Sequence, residues 1–316
     1  MGYTLTLAVA VACGAPRRGG GAGAVGLAPR VRRSPLPAAR AQLYCEPNFW
    51  TAVDASLSGH TVSGRVAALL SAARTGADAE GDASVDAAVD GELPPGAARQ
   101  DVESDMYLPG LAATAVWGPP FAAWLLRLEA TTAVLQAELE NALKDLEDLG
   151  DDGGVLWTSN THRNSAWASL QLARPWSQKW SPVGEQLFPL TTAALSKLGL
   201  PSGARYVSVN RQGPRSGVAL HTDKCNFVLR AHLGLRVPDK CGMILDGNLA
   251  PWRNGEASVF DASFFHETFN DSDEARFILN VDLWHPDLEP DERIALETFL
   301  SLRDAHLRDA LDPDGR

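Results

Sequence analysis

Two segments of this chain alternate strictly between apolar and polar side chains, a period of two that excludes a helix for either. From residue 227 to 237, Phe227, Leu229, Ala231, Leu233 and Leu235 share one face, while Val228, Arg230 and His232 share the other. Between Arg276 and Leu283, the apolar Phe277, Leu279, Val281 and Leu283 oppose Arg276, Ile278, Asn280 and Asp282. Each strand needs a second layer over its apolar face, and each carries long polar side chains on its reverse. Shorter strands with turn signals surround them from Trp157 onward, among them Trp167–Leu172, without a βαβ rhythm. The expected fold is therefore β-dominated α+β: a double-stranded β-helix, or jelly roll, with flanking N-terminal and C-terminal helices.

One of those helices is expected after Pro119-Pro120, because Leu125, Leu128, Leu135, Leu139, Leu143 and Leu146 recur at helical spacing up to Gly150. A shorter one is expected over Thr191–Leu198. Residues 1–42 combine the apolar run Tyr3–Val11 with an acid-free stretch rich in Gly, Ala, Arg and Pro. They read as a targeting or disordered segment, addressed to an organelle (plastid or mitochondrion) or to the secretory pathway and endoplasmic reticulum. The apolar run is shorter than the roughly 20 residues that span a bilayer, so no transmembrane helix is expected and membrane association stays open. Residues 43–105 are expected to be variable and partly disordered, with an acidic linker at Gly76–Asp90, and residues 106–316 to form the main domain.

The formal charge is −11, and residues 1–45 hold six arginines and no acid, so the remainder is more acidic still. Such a body repels phosphate backbones, which argues against nucleic acid as a partner. Cys13, Cys45, Cys225 and Cys241 are too few for a disulfide framework, and buried thiols are expected at Cys225 and Cys241 in preference to a bridge.

His221-Thr222-Asp223 followed by His266 has the form H-x-D…H of a facial triad, which holds non-heme iron on one side and leaves the other open. With seven histidines and 39 acids, an H-x-acid match arises by chance about once, so the triad alone is a weak signal. Arg276 adds context, because a guanidinium on a strand whose other face is apolar needs an anion and its planar fork suits a carboxylate. An ion pair to Asp271, Asp273 or Glu274 is the alternative for it.

Four blocks then carry a resemblance: Leu229-Arg230-Ala231-His232-Leu233-Gly234-Leu235, Trp252-Arg253-Asn254-Gly255-Glu256, Val259 through Glu267, and Val281-Asp282-Leu283-Trp284-His285-Pro286. Over roughly residues 120–300 the chain resembles the aspartyl/asparaginyl β-hydroxylase family. The resemblance implies an Fe(II)- and 2-oxoglutarate-dependent dioxygenase that uses O2, with His221 and His266 on iron and Arg276 on the 2-oxoglutarate tail. It makes Ser208 a second contact for that tail, and it sets Arg230 and His232 where carboxylates of co-substrate or substrate are read. Asp223 departs from the animal protein hydroxylases of the family, which have glycine there, and matches relatives resembling bacterial lipid A acyl hydroxylases. The Trp284-His285-Pro286 ending resembles the peptide hydroxylases. The expected substrate is thus the β-carbon of Asp or Asn in a peptide, protein or small acidic molecule, with an acyl chain second and a non-catalytic binding barrel third. His285 is expected to be structural, and His60, His162 and His306 to lie on the surface. Trp252 and Trp284 fit a pocket wall or core packing equally well.

Overall fold

The computed structural model describes residues 40, 42–75, 102–148, 158–160 and 166–311. The expectations for a targeting segment before residue 40 and for the acidic linker lie outside them. In chain order the elements are helices α1 (Pro47–Leu57) and α2 (Gly64–Thr75), strand β1 (Val116–Trp117), helices α3 (Ala122–Glu129) and α4 (Thr132–Asp148), strands β2 (Thr158–Asn160) and β3 (Trp167–Gln171), and helices α5 (Pro182–Leu187) and α6 (Pro189–Ser196). Strands β4 (Val207–Gln212), β5 (Ser216–His221), β6 (Val228–Arg236), β7 (Cys241–Leu245), β8 (Asn248–Pro251), β9 (Ala257–Phe260), β10 (His266–Asn270) and β11 (Arg276–Trp284) follow, and then helix α7 (Pro290–Leu311).

The strands form a seven-stranded sheet, β1-β9-β6-β11-β4-β3-β2, and a four-stranded sheet, β5-β10-β7-β8. From β4 onward the chain passes back and forth between the two sheets, which is the winding of a double-stranded β-helix. The apolar faces of β6 and β11 point outward, where Leu229, Leu233, Leu279 and Val281 pack under Leu128, Leu135 and Leu139 of α3 and α4. Their reverse faces look across to the smaller sheet, and Phe260 and Ile278 meet Met243 and Leu245 there. The alternation holds from Leu229 to Leu233 on β6 and along β11, while Phe227, ahead of β6, packs in the same cluster as Val228 and the register shifts between Gly234 and Arg236; it delivers Arg230, His232, Arg276 and Asn280 to the interior of the barrel.

The leucine repeat was expected to form one helix, but it forms two. Thr131 and Thr132 donate from Oγ1 to the carbonyls of Leu128 and Glu129, both at 2.6 Å, competing with the bonds a continuous helix would use. The shorter expected helix is found at Pro189–Ser196, with its proline in the first turn.

Residues 43–75 hold more structure than their Ala-rich composition announced. Helices α1 and α2 share a core with α7 in which Phe49, Trp50, Val53 and Val66 meet Leu296, Phe299 and Leu300. Trp50 and Phe299 stack with their ring centres 6.0 Å apart. At the first turn of α7, the buried Glu292 accepts from Arg65 Nε and Ser63 Oγ, each at 2.6 Å. His306 is not a surface residue either: it is half-buried on α7, 5.4 Å from the Phe49 ring. His60 is exposed as expected, and His162 lies outside the described residues.

Candidate metal centre and anion pocket

Strands β5 and β10 pair antiparallel in a register that sets His221 directly opposite His266, with ring centres 4.2 Å apart. In both residues Nδ1 lies 2.8 Å from a backbone carbonyl two positions upstream, Ala219 for one and Phe264 for the other. A carbonyl only accepts, so each Nδ1 carries the proton and each Nε2 keeps a free lone pair, the tautomer a metal ligand requires. Asp223 stands just beyond the end of β5, where its N–H donates to Ala262 O at 2.8 Å. Its Oδ1 is 3.9 Å from His221 Nε2. One donor atom from each of His221, Asp223 and His266 lies within 4.8 Å of the others, so this set fits a divalent metal as a facial triad.

Electrostatics favours the same use. Burial, reinforced by the neighbouring His221, lowers the His266 pKa to about 4, so its imidazole is neutral and ready to ligate at pH 7. Burial alone would push the Asp223 carboxyl up, but Arg230, together with His266 and His221, pulls it well below the usual carboxylate range. The next residue, Lys224, adopts φ +60°, a left-handed turn that lets the chain leave the site sharply.

Arg230 was expected to read a carboxylate of co-substrate or substrate. Its guanidinium instead forms ion pairs with Asp223 and with the fully buried Asp282, the latter from Nε at 3.0 Å. Asp282 and Arg230 are cross-strand partners on β11 and β6, so the register itself makes this pair.

Beside the triad opens a cavity whose lining includes His221, His266, Arg230, His232, Arg276 and Asn210. Arg276 is 3% exposed, and among the described residues no acid pairs with it. The expected alternative partners are elsewhere; Asp273, for one, is bonded to Arg215 Nε at 2.9 Å. The guanidinium lies 4.4 Å over the Trp252 ring, and its Nε is buried without a hydrogen-bond partner. Burial lowers its pKa to about 10, so it stays charged at neutral pH. A buried cation with no counter-charge, facing a cavity, is a site for an anion.

His232 is held from both sides. Trp252 Nε1 donates to its Nδ1 at 3.2 Å, so its Nε2 bears the proton and donates to Asn280 Oδ1 at 3.1 Å. Burial, with Arg230 and Arg276 close by, keeps it neutral, far below the ordinary histidine pKa. Ser208 lies opposite Asn280, four residues along β11 from Arg276, and donates to Asn210 Oδ1 at 2.9 Å. Asn210, two residues nearer Arg276 in that register, is the β4 side chain that lines the cavity, and the sequence reading passed over it. The signal was present in Ser208, Asn210 and Gln212, which alternate with Val207 and Val209 on β4. Trp252 packs in the core behind Arg276, and Trp284 in the core shared with α1 and α7. His285 is fully buried and structural, with Nε2 donating to Ala112 O at 3.0 Å. Cys225 and Cys241 are free, buried thiols, as expected.

Fold and donor set together define a jelly-roll protein with a candidate facial-triad metal centre. The chain belongs to the aspartyl/asparaginyl β-hydroxylase family, whose model matches residues 129–286. It is 36% identical over 111 residues to the mouse protein "Aspartyl/asparaginyl beta-hydroxylase", a match covering 34% of this chain and 15% of that protein. It is 28% identical over 169 residues to the "Ornithine lipid ester-linked acyl 2-hydroxylase" of Rhizobium tropici, covering 52% of this chain and 58% of that one. Among solved structures, AviO1 from Streptomyces viridochromogenes overlaps 61% of this chain and 93% of its own at 15% identity, with a TM-score of 0.33. That overlap is too loose to argue from, and the fold assignment rests on the strand order. The chain spans only a small part of the length of the mouse relative.

Proposed function

We propose that this protein is an Fe(II)- and 2-oxoglutarate-dependent dioxygenase that hydroxylates an unactivated carbon, in the first instance the β-carbon of an aspartate or asparagine in a peptide, or of a related free amino acid. The observation that carries this reading is the adjacency of two sites: three convergent donor atoms, two of them on His221 and His266 in the wall of one cavity, and in the same wall a buried arginine that no acid pairs with among the described residues. When bound, iron and 2-oxoglutarate would supply the oxidising power for inserting one oxygen atom from O2 into a C–H bond, with succinate and CO2 released.

The protein's own residues do the rest. His221 and His266 present bare Nε2 atoms because the carbonyls of Ala219 and Phe264 hold their Nδ1 protons. Arg230 holds Asp223 ionised as the third ligand. Arg276 takes the distal carboxylate of 2-oxoglutarate, and the Trp252 ring keeps the guanidinium plane in place and water away from it. Asn210 offers a side-chain amide to the same cavity. The test is release of succinate from 2-oxoglutarate by the iron-loaded protein. His266→Ala should abolish it, and unchanged turnover in that variant would discard the reading.

Hydroxylation of an acyl chain is the second reading. It is supported by Asp223 and by the longer stretch shared with the Rhizobium tropici relative. Among the described residues no helix is long and apolar enough to cross a membrane. Delivery to an organelle or to the secretory pathway is part of the proposal and is tested by locating a tagged full-length chain in cells.

A further inference from the structure

A second, narrow cavity shares Arg230 as a wall with the first and reaches Asp223 and Asp282. Its remaining walls are mostly apolar, with Trp176, Met106 and Val228 among them, and one further cation, Arg205, faces it. Arg205 precedes β4 and lies 4.6 Å over the ring of Tyr206. Its Nε is buried with no hydrogen-bond partner, and among the described residues no carboxylate lies within ion-pair distance of it. Arg230 is its opposite, bound to both Asp223 and Asp282. These two arginines and two aspartates balance only while both carboxylates serve the guanidiniums. Once Asp223 gives its charge to a divalent metal, Asp282 alone faces two cations, and the one without a bonded partner is Arg205.

We propose that Arg205 is the substrate-reading residue of this enzyme, binding a carboxylate of an acidic substrate at the mouth of the cavity next to Asp223. The inference rests on the dioxygenase reading and narrows it to the acidic class. The apolar walls raise the worth of the single charge contact, because they exclude the water that would otherwise solvate the carboxylate.

The test uses the full chain, metal-free and loaded anaerobically with Mn(II) and 2-oxoglutarate. Two probes are titrated by calorimetry, N-acetyl-aspartate amide and its neutral isostere N-acetyl-asparagine amide, with a long neutral acyl amide as a third. The wild type should prefer the acidic probe by about tenfold or more, Arg205→Met should bring that preference close to one, and Arg205→Lys should keep a large part of it. All three proteins should bind Mn(II) and 2-oxoglutarate alike, which shows that the variants fold. An acid preference untouched by Arg205→Met would overturn the assignment, as would acyl-amide binding that matches the acidic probe. Failure of Mn(II)-dependent 2-oxoglutarate binding in the wild type would sink the dioxygenase reading and this assignment with it, whereas intact binding with an unchanged acid preference in Arg205→Met would sink this assignment alone.

Discussion

Arg276 and Arg230 stand near one another and behave in opposite ways. Among the described residues Arg276 has no counter-charge, so its burial is a cost to the free protein that a bound dianion removes. Arg276→Met is therefore expected to weaken 2-oxoglutarate binding about 100-fold, the worth of a lost bidentate charge-assisted contact, while raising the melting temperature of the ligand-free protein. Calorimetric titration and thermal melts read the two effects, and a variant that melts lower without any loss of affinity would contradict the assignment. Arg230 is fully engaged, and Arg230→Met would strand Asp223 and Asp282 without a partner. A loss of about 3–5 kcal/mol in urea unfolding is expected, with Mn(II) affinity falling as well. Adding Asp282→Asn should recover part of the stability, since it removes one of the two stranded charges.

At the scale of elements, two contacts decide how the pieces sit. Gly234 of β6 lies against the backbone of the loop at residues 253–256: its N–H donates to Glu256 O at 3.1 Å, and Gly255 N–H donates back to its carbonyl at 2.9 Å. A Cβ at Gly234 would run into the carbonyl of Arg253. Gly234→Ala should thus push away the loop that carries Trp252, weakening 2-oxoglutarate binding from a distance by loosening the ring behind Arg276. Unaltered affinity in that variant would remove Trp252 from the account. The second contact is Glu292, through which α7 grips α2. Its hydrogen bonds from Arg65, against the cost of burial, lower its pKa from 4.5 to about 2. A depressed folded pKa means that this stability is fully present above the unfolded value and is lost as the pH falls from about 4.5 toward 2. Glu292→Gln should cost about 1–3 kcal/mol at pH 7 and flatten the acid limb of the unfolding curve in that window.

At the scale of the whole molecule, the proposed metal and 2-oxoglutarate sites should be coupled to folding, and to one another, through binding. Mn(II) at a hundredfold excess over its dissociation constant should raise stability by about 2.7 kcal/mol, and 2-oxoglutarate should add to the melting temperature chiefly when metal is present. A chelator should reverse both shifts. Equal shifts from 2-oxoglutarate with and without metal would place its binding away from the triad.

What the sequence determined by itself was everything carried by local periodicity. Alternation by two assigned the faces of β6 and β11, because successive side chains on a strand must point to opposite sides. For the same reason Arg276 and His232 could be read as interior groups, and the H-x-D…H pattern located the three donors. The tertiary structure alone decided which charges meet. Arg230 and Asp282 lie 52 positions apart, and only the register of β6 against β11 makes them partners. The same holds for the lack, among the described residues, of an acid paired with Arg276, for the unpartnered Nε of Arg205, and for the docking of α1 and α2 on a helix more than 200 residues away. An ion pair depends on distance through space, falling away over a few ångströms, and a linear pattern carries no information on that distance until the chain has folded.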